Sequence, residues 1–468
     1  MLVVISDLHF EEEGSDNIPG SNNVSGIEYS RNLPGRAYRR FFAHLAAEAE
    51  RNGAERLDLV LAGDVFDLHR TSLWFYQNPE NLRPYVNNRQ VNARLESLIF
   101  SILKAIQNES PVAEALEAFR LLAKGKYWDE ASKSFPVPVK LYLIPGNHDR
   151  LLNSTENIRR EVRSMLGIRV SGDPLPHVLL FPNEGAIIRH GHEYDKYNFS
   201  SDISRYPSIP QQLPDEAYDE PPFGDFATID VASQIPYLFR QHHGDDHILT
   251  DPVLRQVYTR LLEFDDLRPQ RAILNFLLHM PIKNVDQVAV WKVIEPVIKT
   301  ILENIHDNPF LLSWLNKMDN KWQLDAIDIV QTAISLKSWR LAGIPLGFAN
   351  FTSNTLLGSD IISKDAAGMA GKEDVIQQGE YKYIVAGHTH QPAVELVASD
   401  ELGERYYIDT GTWRNRVPAT ADYKAFGRLK SMSYVIIYGP TEDPGKDRGR
   451  DKVSSVDFWS GITQRWHQ

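Results

Sequence analysis

Residues 57–67 read Leu-Asp-Leu-Val-Leu-Ala-Gly-Asp-Val-Phe-Asp, an apolar run that ends in a glycine and two carboxylates. The run from Leu57 to Ala62 is short and mostly apolar, which predicts a strand buried inside an α/β sheet. Asp64 and Asp67 follow it directly, so they belong to the loop at the carboxyl end of that strand. Gly63 allows the tight turn that such a strand-to-loop junction requires.

Four further polar blocks follow apolar runs in the same way. The blocks are Asp7-Leu8-His9, Gly146-Asn147-His148-Asp149, His190-Gly191-His192 and Gly387-His388-Thr389-His390. The runs before them are Leu2 to Ile5, Val137 to Ile144, Ala186 to Ile188 and Tyr383 to Ala386. Because loops at the carboxyl ends of parallel strands share one edge of a sheet, the blocks are predicted to converge there.

The composition limits the chemistry that this edge supports. The chain has no cysteine, which excludes disulfides, thiolate zinc sites, iron–sulfur clusters and cysteine nucleophiles. A metal ion must therefore be held by nitrogen and oxygen. The formal net charge of -12 indicates no strongly basic surface, which argues against broad binding to nucleic acid or to anionic membranes.

At 468 residues the chain is long for a single core, and its pattern predicts an α/β core that is interrupted by an insertion. We assign residues 1–195 to the first part of the core, 196–375 to a mainly helical insertion, 376–440 to the second part and 441–468 to a C-terminal tail. Helical patterns in the insertion cover Leu254 to Phe264, Ile273 to Leu278, Val288 to Ile305 and Leu324 to Leu336. Ala393 to Val397, Glu404 to Asp409 and Ser431 to Tyr438 are predicted to complete a second, antiparallel sheet.

Neither an export signal nor a membrane span is indicated. The first apolar run begins at Met1 without a basic leader or a cleavage site, and no apolar stretch reaches transmembrane length. We therefore expect a cytoplasmic protein. The sequence does not indicate its oligomeric state.

The polar blocks supply the nitrogen and oxygen ligands that two divalent cations need. Asp7 and His9 lie two residues apart on an extended segment, so both side chains point to the same side and reach one cation. Asp64 is the candidate for a carboxylate that bridges the two. The full set of candidate ligands is Asp7, His9, Asp64, Asn147, His190, His388 and His390. Mn²⁺, Fe and Zn²⁺ all suit it, and a hydroxide bound between two such cations would attack phosphorus in line with the leaving group.

Two further residues in these blocks suit acid–base chemistry. A leaving alkoxide needs a proton, and His148, which follows a candidate ligand in sequence, is a natural general acid. Asp67 would fix the tautomer of His148 through a hydrogen bond. His148 and Asp67 are therefore the candidate catalytic residues.

The order of the blocks resembles the calcineurin-like metallophosphoesterase superfamily, whose pattern is D-x-H, G-D-x-x-D, G-N-H-D/E, H-G-x and G-x-H. The resemblance covers all of the blocks and implies a four-layer αββα sandwich, here with a large helical insertion, and a dinuclear site at one edge of its two sheets. It also implies how the ligands divide. Asp7, His9, Asp64 and His390 would hold one metal ion, and Asp64, Asn147, His190 and His388 the other.

The substrate is less sharply indicated than the reaction. The segment His190 to Asp195 is similar to one in bacterial UDP-2,3-diacylglucosamine diphosphatases, although His192 replaces an aspartate and the insertion is much larger here. The blocks around Asp64 and Asn147 are as close to those of SbcD-type repair nucleases. The Pro- and Asp-rich stretch from Ile209 to Phe226 would place acidic groups near the site, which favours a small, capped phosphate compound over long polyanionic DNA. Monoester, diester and diphosphate substrates stay open, as do a DNA nuclease and a catalytically silent scaffold.

Other polar groups have two interpretations each. Asp149 either orients its loop or faces solvent. His192 is either a metal contact or a hydrogen-bonding neighbour of a ligand. Arg414 or Arg416 either grips a phosphate of the substrate or belongs to a surface arginine pair. The histidine cluster in residues 241–247 is interpreted as a solvated loop rather than a metal site.

Overall fold

The computed structural model describes residues 1–21, 24–76, 78, 80–86, 92–268, 276, 280, 282, 285–306, 308–317, 363–421, 425–443 and 453–463. The strands of this part of the chain are β1 (Leu2–Ile5), β2 (Leu57–Ala62), β3 (Lys126–Asp129), β4 (Ala131–Ser134), β5 (Val139–Ile144), β6 (Leu179–Phe181), β7 (Ala186–Ile188), β8 (Leu267–Arg268), β9 (Tyr383–Ala386), β10 (Ala393–Asp400), β11 (Gly403–Asp409), β12 (Asn415–Pro418), β13 (Leu429–Tyr438) and β14 (Ser455–Thr463). Its helices are α1 (Gly35–Arg51), α2 (Leu73–Tyr76), α3 (Ala93–Asn108), α4 (Ser110–Ala123), α5 (Glu156–Leu166), α6 (Asp215–Asp219), α7 (Phe223–Phe226), α8 (Gln234–His243), α9 (Asp245–Thr250), α10 (Pro252–Leu261), α11 (Gln287–His306), α12 (Pro309–Lys317), α13 (Ser363–Ala370) and α14 (Asp374–Gln377).

The strands form two mixed sheets and a separate hairpin of β3 and β4. The first sheet has the order β5-β2-β1-β13-β12-β8, and β14 also pairs with β13. Its strands β1, β2 and β5 are parallel to one another, whereas β13 runs antiparallel to both β1 and β14. The second sheet has the order β10-β11-β9-β7-β6, in which β7, β9 and β11 are parallel.

Three hydrophobic layers stack the two sheets and their helices. Between the sheets lies a core that includes Val4 and Val60 from the first sheet and Ile188 and Val385 from the second. Helices α1, α3 and α4 cover the outer face of the first sheet, and α13 covers the outer face of the second. The arrangement is the four-layer αββα sandwich that the sequence predicted.

The helices begin and end where local chemistry favours it. In α1 the buried residues Tyr38, Phe42, Leu45 and Ala49 recur every three or four positions, which turns one apolar face towards the sheet. The hydroxyl of Thr155, the residue before α5, accepts a hydrogen bond from the Ile158 N–H at 3.3 Å.

The segment between β7 and β9 is largely helical, as predicted, wherever the structure describes it. Helices α10 and α11 confirm the patterns at Leu254 to Phe264 and Val288 to Ile305. The patterns at Ile273 to Leu278, apart from Phe276, and at Leu324 to Leu336 lie outside the described residues. These helices share one continuous core with α1, α3 and α4, so they pack directly on the sandwich. The domain boundaries stay a prediction.

Two strands at the C-terminal end differ from the predicted arrangement. The segment Ser431 to Tyr438, predicted for the second sheet, lies in β13 of the first sheet, because its partner is β1 at the start of the chain. Ser455–Thr463, within the predicted tail, forms β14 along the other edge of β13. None of the helices in the described part of the chain has the length and apolar character that a membrane crossing requires.

Candidate metal centre

The polar blocks meet at one end of the sandwich, as the sequence predicted. The loops after β1 and β2 are joined by hydrogen bonds from the Asp7 N–H to the Gly63 carbonyl at 3.0 Å and from the His9 N–H to the Asp64 carbonyl at 2.9 Å. The loops after β7 and β9 are joined by a bond from the Gly387 N–H to the His190 carbonyl at 2.7 Å. Backbone pairing therefore continues beyond the strands and fixes the loops against each other.

The backbone at this edge adopts conformations that side chains other than glycine rarely take. Positive φ angles occur at Asp7 (52°), His9 (44°), Asp64 (50°), His388 (74°) and His390 (58°), which are all candidate ligands. Left-handed conformations cost such residues about 1 kcal/mol or more each, so they persist only where surrounding contacts impose them. In these backbone conformations the side chains of the candidate ligands lie close to one another.

One group of candidate ligands consists of Asp7, His9 and His390. The His390 Nε2 lies 3.2 Å from the Asp7 Oδ1 and 3.0 Å from the His9 Nε2. The other nitrogen of His9, Nδ1, donates to the Asp67 Oδ2 at 2.8 Å, which leaves a lone pair on Nε2 in the neutral ring. That lone pair faces the other members of the group and suits a cation.

A second group consists of Asp64, His190 and His388, and the side-chain oxygen of Asn147 lies among them. The His190 Nδ1 donates to the Ala62 carbonyl at 2.8 Å, so in the neutral ring its Nε2 carries the lone pair, and this atom lies 3.2 Å from the Asn147 Oδ1. The His388 Nδ1 lies 3.0 Å from the same oxygen. Converging acceptor atoms of this kind need a positive charge between them, so the donor set fits a metal ion.

Asp64 connects the two groups. Its Oδ2 lies 3.2 Å from the His190 Nε2 and 3.8 Å from the His9 Nε2, while its Oδ1 accepts the His148 N–H at 2.8 Å. Two glycines make this packing possible: a Cβ at Gly63 would collide with the His190 ring, and a Cβ at Gly146 would collide with the Asp64 carboxylate. The position of Asp64 is that expected of a bridging carboxylate.

The electrostatic field at this site favours positive charge. Burial alone raises the pKa of Asp64, but His190 and His148 outweigh it, and the pKa lies well below its usual range. Burial lowers the pKa of His190, but the charge of Asp64 outweighs it and raises the pKa to about 10. A field that stabilises a proton on a buried imidazole also stabilises a cation at the same position.

Asp67 and His148 lie beside the first group. The His148 Nδ1 lies 3.1 Å from the Asp67 Oδ1, and the second oxygen of this carboxylate accepts from His9. One buried carboxylate thus orients a candidate ligand and the candidate general acid together. Burial raises the pKa of Asp67, but His148 and Arg70 outweigh it, so the pKa lies well below its usual range.

Two further residues support the site: the sequence assigned no role to Asp195 and left two interpretations for Asp149. The Asp195 Oδ2 lies 3.1 Å from the His388 Nε2 and fixes the tautomer of that ring. The buried Asp149 carboxylate accepts backbone N–H groups of Asp64, Val65 and Gly146, so it shapes the loop after β2. Asp195 was within the quoted His190 to Asp195 segment, so the sequence contained a signal for it.

The residues with two interpretations are now placed. His192 belongs to neither ligand group; its ring is buried and lies 5.6 Å from the ring of Phe199. Arg414 is buried and paired with Asp266, and Arg416 is partly buried in β12, so the two do not form a surface arginine pair. The histidine cluster was wrongly interpreted as a loop, because its residues end α8 at His243 and begin α9 at Asp245. The His243 Nε2 donates to the Val293 carbonyl at 2.9 Å, and no candidate metal group among the described residues includes it.

Comparison with known proteins adds one finding. Residues 1–303 match the family model described as calcineurin-like phosphoesterase. No curated protein matches the chain.

Proposed function

The chain belongs to the calcineurin-like phosphoesterase family, and from that premise we propose that it hydrolyses a phosphoester or phosphoanhydride at a dinuclear metal centre. The observation that carries the proposal is the position of Asp64, whose Oδ2 lies within 3.8 Å of an imidazole from each ligand group. A carboxylate placed in this way is what two neighbouring cations require.

We assign Asp7, His9, Asp64 and His390 to one cation and Asp64, Asn147, His190 and His388 to the other. When bound, two divalent cations would supply a nucleophilic hydroxide at neutral pH and offset negative charge on the phosphate. The chain's own contribution is to hold the ligands rigidly. Backbone pairing between loops and the strained φ angles serve that purpose.

His148 is proposed to protonate the leaving oxygen. Its Nδ1 is held by Asp67 at 3.1 Å, which leaves Nε2 to carry the transferable proton. The side chain is 13% exposed, whereas the side chains of His9 and His190 are fully buried. A partly accessible imidazole beside the ligand groups is suited to meet a substrate.

We further propose that the substrate is a small phosphate compound. A cavity of about 700 Å³ adjoins Asp195, the partner of His388, and lysines 196, 364 and 372 lie in its wall. Its volume is in the range of small-molecule sites, which is the support it gives to the proposal. The wall also carries Glu193, Asp195, Asp202 and Asp365, so the lysines offset these carboxylates and do not make the cavity cationic.

The helical segment closes another side of the site. Ser233 donates to the His69 carbonyl at 3.2 Å, and Arg150 donates to Asp225 at 2.9 Å, which ties this segment to the loops that carry Asp67 and His148. The acidic groups of this segment were expected to repel DNA, but Arg150 offsets the charge of Asp225. Enclosure of the site by the helices is therefore the stronger support for a small substrate.

The test is to load the protein with Mn²⁺, Zn²⁺ or Fe²⁺ in turn, quantify the bound metal, and offer four substrates. These are a chromogenic phosphodiester, a chromogenic phosphomonoester, a nucleoside-diphosphate conjugate and single-stranded DNA, with chelator-treated protein as the control. Two metal ions per chain and turnover of a small substrate would support the proposal. Preferential DNA cleavage would favour a nuclease, and a failure to bind metal would favour a scaffold.

A further inference from the structure

A groove of about 520 Å³ lies between α1 and the paired strands β13 and β14, on the outer side of the first sheet. None of the candidate metal ligands lines it. Its apolar lining includes Phe41 of α1, which is only 4% exposed, Met432 and Tyr434 of β13, and Trp459 and Ile462 of β14. The volume is within the range of pockets that hold small molecules.

The apolar wall of the groove is unusually open. Trp459 is 44% exposed and Ile462 is 57% exposed. The Trp459 ring stacks on Tyr434, with 6.1 Å between the ring centroids and 13° between the planes, so the exposed aromatic surface is held in place. Covering it with the apolar part of a ligand would be favourable by about 25 cal/mol for each Å² removed from water.

Cations without partners lie along the same groove. Arg36 and Arg40 line it, and no described residue forms a hydrogen bond or an ion pair with either guanidinium. By contrast Arg39, on the same helix, lies 3.4 Å from a carboxylate oxygen of Glu114. The two unpaired guanidinium groups can therefore both serve an external anion.

Lys430 adds a third cation to the groove wall. Burial lowers its pKa, Glu13 opposes that effect, and the positive charge of Arg36 adds to it. Lys430 and Arg36 are thus close enough to repel each other. A bound anion would offset this repulsion, so its binding would be stabilised by both cations.

We propose that this groove binds a small anionic amphiphile. The apolar tail lies against Trp459 and Ile462, and a single carboxylate or phosphate head group pairs with Arg36, Arg40 and Lys430. The site is a concave groove, and Arg36, Arg40 and Lys430 all line it. Both features favour a small molecule over a second copy of the chain. This site is independent of the metal centre.

Isothermal titration calorimetry with decanoate, below its micelle concentration, tests the proposal. Decanol has the same tail without charge, decylammonium has the opposite charge, and decyl phosphate distinguishes a phosphate head from a carboxylate. We expect saturable binding of one decanoate or one decyl phosphate per chain. Decanol and decylammonium are expected to bind at least tenfold more weakly, because they lack the charge-assisted hydrogen bonds.

Variants locate the binding site. The double variant Arg36→Gln/Arg40→Gln is expected to weaken decanoate binding at least tenfold, and Ile462→Glu to weaken it similarly. Arg39→Gln is the matched control and should bind like the wild type. All of these positions are at least partly exposed, so thermal unfolding should show that each variant folds.

Three results would overturn the proposal. One is the absence of saturable decanoate binding to the wild type, and another is equal affinity for decanoate and decylammonium. The third is a dimer in light scattering that Ile462→Glu dissociates, since the groove would then be an interface between two copies.

Discussion

Replacing Gly63 by alanine tests whether the glycine after β2 is required to position His190, a candidate metal ligand. Gly63 has a φ of 88°, and an added Cβ would overlap the imidazole of His190, which is fully buried and bonded to the Ala62 carbonyl at 2.8 Å. The substitution therefore combines backbone strain with a collision that only movement of His190 relieves.

The expected destabilisation follows from these two effects. A left-handed backbone costs a non-glycine residue about 1–2 kcal/mol, and an extra group in a closely packed interior costs about 1–3 kcal/mol. Together they predict that Gly63→Ala lowers the free energy of unfolding by roughly 2–5 kcal/mol. Displacement of His190 is also expected to weaken metal binding about tenfold or more.

Gly53 provides a matched control. Its φ is 61°, and a Cβ there would meet no heavy atom within 4 Å. Gly53→Ala should therefore cost only the backbone term, about 1–2 kcal/mol, and leave metal binding unchanged.

Two measurements are made on each variant. Urea unfolding in the presence of a chelator gives the stability of the metal-free chain, and titration of the folded chain with Mn²⁺ gives its affinity for metal. The reasoning is refuted if Gly63→Ala binds metal as tightly as Gly53→Ala and unfolds at the same urea concentration.

Three further predictions concern the general acid, the orientation of a ligand and acid stability. His148→Ala should keep its metal content and lower turnover about 10²–10⁴-fold, most severely for substrates with poor leaving groups; kinetics with a series of leaving groups checks this, and loss of metal would contradict the role. Asp195→Asn should weaken metal binding about 10–100-fold because His388 loses its charged partner, and a metal titration that matches the wild type would exclude that support. Burial lowers the pKa of His177 from 6.5 to about 4, so its ring stays neutral in the folded chain while the unfolded chain takes up a proton, and stability falls as pH drops through that interval. The ring of His177 stacks on that of Tyr218, with 3.6 Å between the centroids, and His177→Phe keeps this contact. In urea unfolding the variant should lose roughly 2–3 kcal/mol less stability than the wild type between neutral pH and about pH 4, and equal losses would contradict the assignment.

The parts of the fold that local pattern determines were predictable. The runs Leu57 to Ala62, Ala186 to Ile188 and Tyr383 to Ala386 coincide with strands, because a fully buried strand is mostly apolar on both faces; Asp58 in the first run is the exception. The position of β13 was not predictable in this way. Alternation along a strand shows which residues are buried, but it does not show that the partner is β1, at the opposite end of the chain.

The candidate site shows the same division. The residue types within the blocks predicted a site that holds cations, since carboxylates and imidazoles after consecutive strands meet at one edge. The ion pair of Arg414 with Asp266 could not be predicted from the sequence. Asp266 belongs to the helical segment and contacts Arg414 only in the folded chain. For Asp149 the sequence left two interpretations, and only the folded chain shows that its carboxylate accepts backbone N–H groups and orients the loop.

The most direct test of the central claim is the number of metal ions bound by the wild type and by Asp64→Ala, measured by mass spectrometry after loading with Mn²⁺ and removal of free metal. If Asp64 bridges two cations, the wild type binds two per chain and hydrolyses a chromogenic phosphodiester, whereas Asp64→Ala, although folded, retains neither metal nor activity. Full metal occupancy in Asp64→Ala, or a wild type that binds fewer than two ions, would contradict the dinuclear centre.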